Sequence, residues 1–196
     1  MPNLDKLARD RRGYIIPWVV YRDGDDRPHF TINDDQKRFL ALTKDLCPIC
    51  AEKLLRGRWF VGGPQAAFHE RGAYIDPPMH GECAHYALTT CPYLAAPNYS
   101  KRIDAKTLRS SAVPLLFDSA VIDERPDYFV AVLATGQKLT GAENYITPKR
   151  PYLRVEYWRH GRQIENPRWT SEGNIDRSVS RCGKKLSGDR WTIVKA

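Results

Sequence analysis

The sequence predicts an α+β protein whose first half is built around a metal-binding unit and whose second half is β-rich. Three observations carry this. Helical patterning is confined to two stretches, residues 31–46 and 78–91, both in the first hundred residues. Strand-like runs dominate after residue 125. Between and within the helices lie two pairs of ligand-type residues, "CPIC" and "HGEC". Residues 1–100 form the first region, with its core unit at 45–92, and residues 101–196 form the second. No flexible linker separates them, which leaves open that the second packs on the first as one domain.

Taken in order, "GYIIPWVVYRDG" (13–24) reads as a strand, with Pro17 pushing it to an edge or a bulge. The acidic "RDGDDRP" that follows contains Asp23, Asp25 and Asp26. Between two apolar stretches it reads as a turn rather than a carboxylate cluster. "TINDDQKRFLALTKDL" (31–46) reads as a helix with Asn33 or Asp34 as N-cap, acids in the first turn and apolar positions at Phe39, Leu40, Leu42 and Leu46. "RWFVGGP" is a short strand ending in a glycine turn, and "AYIDPP" is an extended entry to the next helix. That helix spans roughly Pro78 to Cys91. Proline is tolerated in its first turn, and Pro92 disfavours helix at the residue before it. "YLAAPNYSKRID" (93–104) reads as a connector, "DYFVAVLAT" as a buried strand, "YLRVEYWRHGRQI" as a hairpin turning at His160-Gly161, and "RWTIVKA" as a last strand.

The ligand-type residues are Cys47, Cys50, His80 and Cys83: C-x2-C, 29 intervening residues, then H-x2-C. A structural zinc ion takes four nitrogen or sulfur ligands in a tetrahedron, commonly as two close pairs from separate elements. A C-x2-C turn converges two thiolates, and positions three apart at a helix start share a face. Zn2+ is therefore the expected cofactor. With four protein ligands the site is closed, so the zinc is expected to be structural and to supply folding energy rather than chemistry. Eight residues of helix separate Cys83 from Cys91, about 12 Å of rise, too far to share one ion. Cys91 instead reads as a buried core cysteine, on a stripe with Cys83 and Ala87. His85 should point away from the site. Knuckles of this kind often place glycine after the second cysteine, where the backbone tends to need positive φ; here that residue is Ala51.

A knuckle, a β-hairpin and a helix carrying the last two ligands resembles the treble-clef zinc fingers over residues 45–92. More widely, "CPIC", the Gly63-Pro64 turn, "DPPMHGECA" and "CPYLAAP" resemble an uncharacterised family of phage and bacterial proteins. A weaker echo lies in "EYWRHGRQI". The resemblance implies a zinc site and a phage-related origin, and it implies no activity.

Charge points to function. Of the net +8, residues 1–100 contribute +1, residues 101–148 zero and residues 149–196 +7. A local basic excess is what an anion-binding surface requires. Arg150, Arg154, Arg159, Arg162, Lys184 and Lys185 are the leading phosphate-contact candidates, and Tyr152, Tyr157, Trp158, Trp169 and Trp191 are interleaved with them as stacking candidates. Nucleic acid is thus one expected partner and a host protein another. A third reading is a nuclease of the HNH type, also built on a treble clef, with His69 and His85 as the catalytic candidates. Against it, Phe68 occupies the position before His69 where such sites carry an acid or a second histidine. No phosphate-cradling glycine loop, G-x-S-x-G or H-E-x-x-H occurs. Cys182, in "SRCGKK", reads as an incidental thiol. No apolar run reaches membrane-spanning length and the first residues lack a secretory core, so a cytoplasmic, non-membrane protein is expected.

Overall fold

The computed structural model describes residues 2–69, 72–97, 125–140 and 145–167. It has the expected α+β character. In chain order the elements are β1 (Val20–Arg22), β2 (Pro28–Asn33), α1 (Asp35–Lys44), β3 (Arg58–Gly62), α2 (Pro64–Phe68), α3 (Gly81–Thr90), α4 (Pro92–Ala95), β4 (Phe129–Ala134), β5 (Gln137–Thr140), β6 (Tyr145–Pro148), β7 (Arg154–Arg159) and β8 (Arg162–Ile164). Among the described residues the strands form three antiparallel sheets: β1-β2, β3-β4-β7-β8 and β5-β6. The stretches at 101–124 and 190–196, with Lys184, Lys185 and Cys182, lie outside the described residues.

The four-stranded sheet is the organising layer, and it draws β3 from the first region and β4, β7 and β8 from the second. Alternation sorts its side chains onto two faces. Trp59, Phe129, Ala131 and Trp158 pack with Ile49, Cys83, Ala84 and Leu88 on one face. Phe60, Val130, Val132, Ala134 and Tyr157 pack with Leu42, Phe68, Tyr74 and Ile146 on the other. Five of the six β4 residues are buried, which is why "FVAVLA" reads as an unbroken apolar run: a strand covered on both faces has no polar side to show.

Several expectations change. The first strand shrinks to Val20–Arg22, because the chain turns at Pro17, whose carbonyl accepts from Val20 N–H. The stretch before it instead pairs at Arg9–Ile15. A strand, β2, occupies Pro28–Asn33, so the first helix begins later than the pattern suggests, at Asp35; Asp34 caps it by accepting from the Lys37 N–H. On α1 the buried residues are Arg38, Ala41 and Leu42, whereas Phe39 and Leu40 are 57% and 42% exposed. The rotation follows from Arg38, whose Nε donates to the Ile75 carbonyl from a buried position. The second helix runs Gly81–Thr90, with His80 as its N-cap, and the connector after it opens with α4. The hairpin at His160-Gly161 forms as read: Arg159 pairs with Arg162 across two residues of positive φ, 50° and 74°, as a type I′ turn requires. In β7, Glu156, Tyr157 and Trp158 are all buried and Leu153 just before it is exposed, so burial does not alternate along the strand.

Phe60 is 1% exposed and carries the second core on the β3 side. Phe60→Ala should cost about 3–5 kcal/mol, read as a lower denaturation midpoint with an unchanged denaturant slope.

Candidate metal centre

The knuckle is a tight backbone turn. Ala51 N–H donates to the Cys47 carbonyl, and Cys47 N–H donates to the Glu52 carbonyl. Two further hydrogen bonds, from Trp18 and Val19 N–H to the Ile49 and Pro48 carbonyls, strap the N-terminal segment over it. Ala51 sits at φ 62°, the left-handed geometry that the missing glycine would have eased. The second pair arrives because Trp59 and Met79 exchange backbone hydrogen bonds of 3.0 and 2.9 Å, which sets His80 and α3 beside the knuckle. Between them the chain makes β3, α2 and an extended return, so the hairpin expected of a treble clef is reduced to that one bridge.

The four ligand atoms of Cys47, Cys50, His80 and Cys83 all lie within 4.8 Å of one another. In a tetrahedral zinc site, bonds of about 2.3 Å to sulfur and about 2.0 Å to nitrogen place neighbouring ligands about 3.5–3.8 Å apart. Cys50 Sγ and His80 Nδ1, at 3.4 Å, already match. His80 Nε2 lies 3.1 Å from the Lys53 carbonyl, so its N–H donates there and leaves Nδ1 as the ligand atom. Residues from the knuckle thus supply both a ligand and the group that orients the histidine. The donor set, three sulfurs and one imidazole, fits Zn2+.

Electrostatics agree. Contact with the Cys50 and Cys83 side chains holds the Cys47 thiol down at about 3. The same cluster pushes Cys83 strongly upward, first through its contact with Cys47. Crowded thiols share one negative charge and resist a second, and a divalent cation removes that resistance. Cys91 lies outside the cluster, as expected, but it is only half-buried, at the junction of α3 and α4, where burial raises its thiol pKa.

His85 points away from the metal cluster and into a constellation that the sequence did not reveal. Its Nε2 is 2.8 Å from Oε2 of Glu156, a carboxylate only 1% exposed. Trp158 Nε1 donates to the same oxygen at 3.1 Å. Arg154 Nε lies 2.7 Å from Oε1 as an ion pair without hydrogen-bond alignment. The His85 ring packs between Trp59 and Trp158, at centroid distances of 5.4 and 5.6 Å. His69 is exposed at the end of α2 and belongs to no metal-ligating cluster among the described residues.

The basic candidates are partly committed. Arg150 donates to the Ala67 and His69 carbonyls, Arg159 to that of Asp127, and Arg154 is paired with Glu156; Arg162 is exposed on β8. Tyr152, Tyr157 and Trp158 are buried and so unavailable for stacking on bases, which corrects that expectation. Trp169 and Trp191 lie outside the described residues. No described helix is long and apolar enough to cross a membrane. No family model, curated protein or solved structure matches the chain. What the site defines is a four-ligand cysteine-histidine centre able to hold a metal ion.

Zinc uptake must displace thiol protons, so apparent affinity is expected to fall as pH falls, measured by competition with a chromophoric chelator. Ala51→Gly should stabilise the protein by about 0.5–1 kcal/mol through relief of the left-handed alanine, read from the thermal midpoint of the zinc-loaded form.

Proposed function

We propose that the chain is a zinc-stabilised binding protein, treble-clef-like over residues 45–92, that engages nucleic acid through its basic segment 149–196. The observation that carries the zinc role is the closed donor set. Four protein ligands complete a tetrahedron, and an ion held that way has no position for water or substrate. The choice of nucleic acid rests on charge: +7 of the net +8 lies in the last 48 residues. Arg162, exposed on β8, is the described residue that best supports it, while Arg150, Arg154 and Arg159 have structural work as well. The likeness of "CPIC", "DPPMHGECA" and "CPYLAAP" to phage and bacterial proteins fits a phage-related role.

A host-protein partner is the second reading, favoured by one feature: Phe39 and Leu40 stand exposed on α1, and Leu55 is 76% exposed near the knuckle. The nuclease reading draws less support. His85 is occupied by a buried carboxylate, and His69 has Phe68, a buried core residue, before it.

Two measurements test this. Cys47→Ser should lose zinc and unfold the 45–92 unit; a zinc-free variant of ordinary stability would refute the structural role. Zinc-loaded protein, mixed with labelled single- and double-stranded DNA and RNA with and without Mg2+, should bind without cleaving. Affinity should fall steeply with salt, and each phosphate contact removed by Arg162→Ala or Lys184→Ala should lower the log–log salt slope by about 1. Salt-independent or absent binding would transfer the reading to a protein partner, and Mg2+-dependent cleavage would restore the nuclease.

A further inference from the structure

The four ligands of the metal centre differ in access. Cys47 and Cys83 are 0% exposed, sealed under the sheet and α3. Cys50 is only partly buried, and it lines a surface cavity of about 230 Å³. The other walls are mostly apolar, with Leu7, Ile16, Pro17, Trp18 and Ile49 among them, and Arg22 and Lys37 are the charged residues of the lining. The N-terminal strap that folds over the knuckle therefore does not seal it. Among the described ligands, Cys50 is the one that lines this cavity.

We propose that Cys50 is a modification site for small apolar organic hydroperoxides, which enter through this cavity and oxidise the centre at its one sulfur that is not fully buried. The inference rests on the zinc reading above. A metal-bound sulfur keeps thiolate character and nucleophilicity, so access decides which of the three reacts first. The volume is below that of a drug-sized pocket, which limits entry to small reagents, and the lining favours an alkyl or aryl group over water-like peroxide.

In the first step the Cys50 thiolate attacks the peroxide. An S–O bond forms, the O–O bond breaks, and the alkoxide leaves as the alcohol after taking a proton from solvent. Sulfur is oxidised by two electrons and the peroxide reduced by two, giving the sulfenic acid. In the second step the Cys47 thiolate, three residues away on the same turn and within 4.8 Å, attacks that sulfur. An S–S bond forms, the S–O bond breaks, and hydroxide leaves. The ion then keeps only His80 and Cys83 and is released. Organic peroxide would thereby open the 45–92 unit that zinc closes.

The test begins with zinc-loaded protein of measured metal content, treated with cumene hydroperoxide or hydrogen peroxide. Zinc release is followed with a chromophoric chelator, and the modified residue is located by peptide mass mapping. Cumene hydroperoxide is expected to release zinc faster than hydrogen peroxide does, with Cys50 modified first and a Cys47–Cys50 disulfide as the product. Ala8→Trp fills the cavity from an exposed lining position and leaves every ligand in place; it should slow the cumene hydroperoxide reaction by about tenfold and leave the hydrogen peroxide reaction nearly unchanged. Cys50→His keeps four ligands and should retain zinc under both oxidants. First modification at Cys47 or Cys83, no preference for the organic peroxide, or an Ala8→Trp variant that reacts as fast as the parent would each overturn the proposal while leaving zinc binding intact. A protein that holds no zinc would overturn both.

Discussion

Three thiols and an imidazole within 4.8 Å of each other form an arrangement that the chain alone does not favour. Contact between the thiols pulls the Cys47 pKa down and pushes that of Cys83 up, the opposed shifts that crowded sulfurs produce. The surrounding structure is organised to hold the arrangement. The Trp59–Met79 bridge fixes where the ligand helix begins, the Lys53 carbonyl turns the His80 ring, and Ala51 accepts a strained conformation so that the knuckle can close. Strain kept in a turn that carries two ligands is repaid only if the ligands are used, and a metal ion uses all four.

The central sheet explains why this centre is not a free-standing finger. The knuckle has few apolar residues of its own to bury; Ile49 and Leu54 are the main ones, and they join a core drawn mostly from β3, α3, β4 and β7, with Ile15 and Met79 beside them. The ligand helix packs on that sheet through Ala84 and Leu88. Metal and core therefore stabilise different parts of one layer. The sheet holds the body of α3, and an ion in the cluster would hold the knuckle to its first turn.

What was legible in the sequence was mostly local. The ligand pairs could be found because coordination needs fixed spacing, and the His160-Gly161 turn because a two-residue hairpin needs positive φ at both positions. The unbroken apolar run of β4 was visible because both its faces are covered. The strands β2, β5 and β6 were missed since they are short or exposed: every residue of "KLT" in β5 faces water, so no alternation marks it. The buried face of α1 does not follow its apolar positions, since Phe39 and Leu40 are exposed. Arg38 is buried instead, through a hydrogen bond to the Ile75 carbonyl, 37 residues away in sequence. No periodicity reports such a partner.

Glu156 is the sharpest case. In "RVEYWR" it reads as one solvent-facing position of a strand, yet it is 1% exposed and receives contacts from His85, Trp158 and Arg154. A buried carboxylate is tolerable only when its charge is compensated; here His85 and Trp158 hydrogen-bond one oxygen, and Arg154 faces the other as an ion pair. His85 lies two residues beyond Cys83 on the same helix, so α3 is gripped from both sides. Its first turn faces the metal centre, and its second faces a carboxylate on β7. This arrangement also explains why His85 is not a fifth ligand: the two-residue step turns it onto the face where Glu156 waits. The basic strand and the metal centre are thus joined through one helix. Arg154 is held against Glu156, and Glu156 against His85, so the side of β7 that carries Arg154 is tied to the helix that carries two of the candidate ligands.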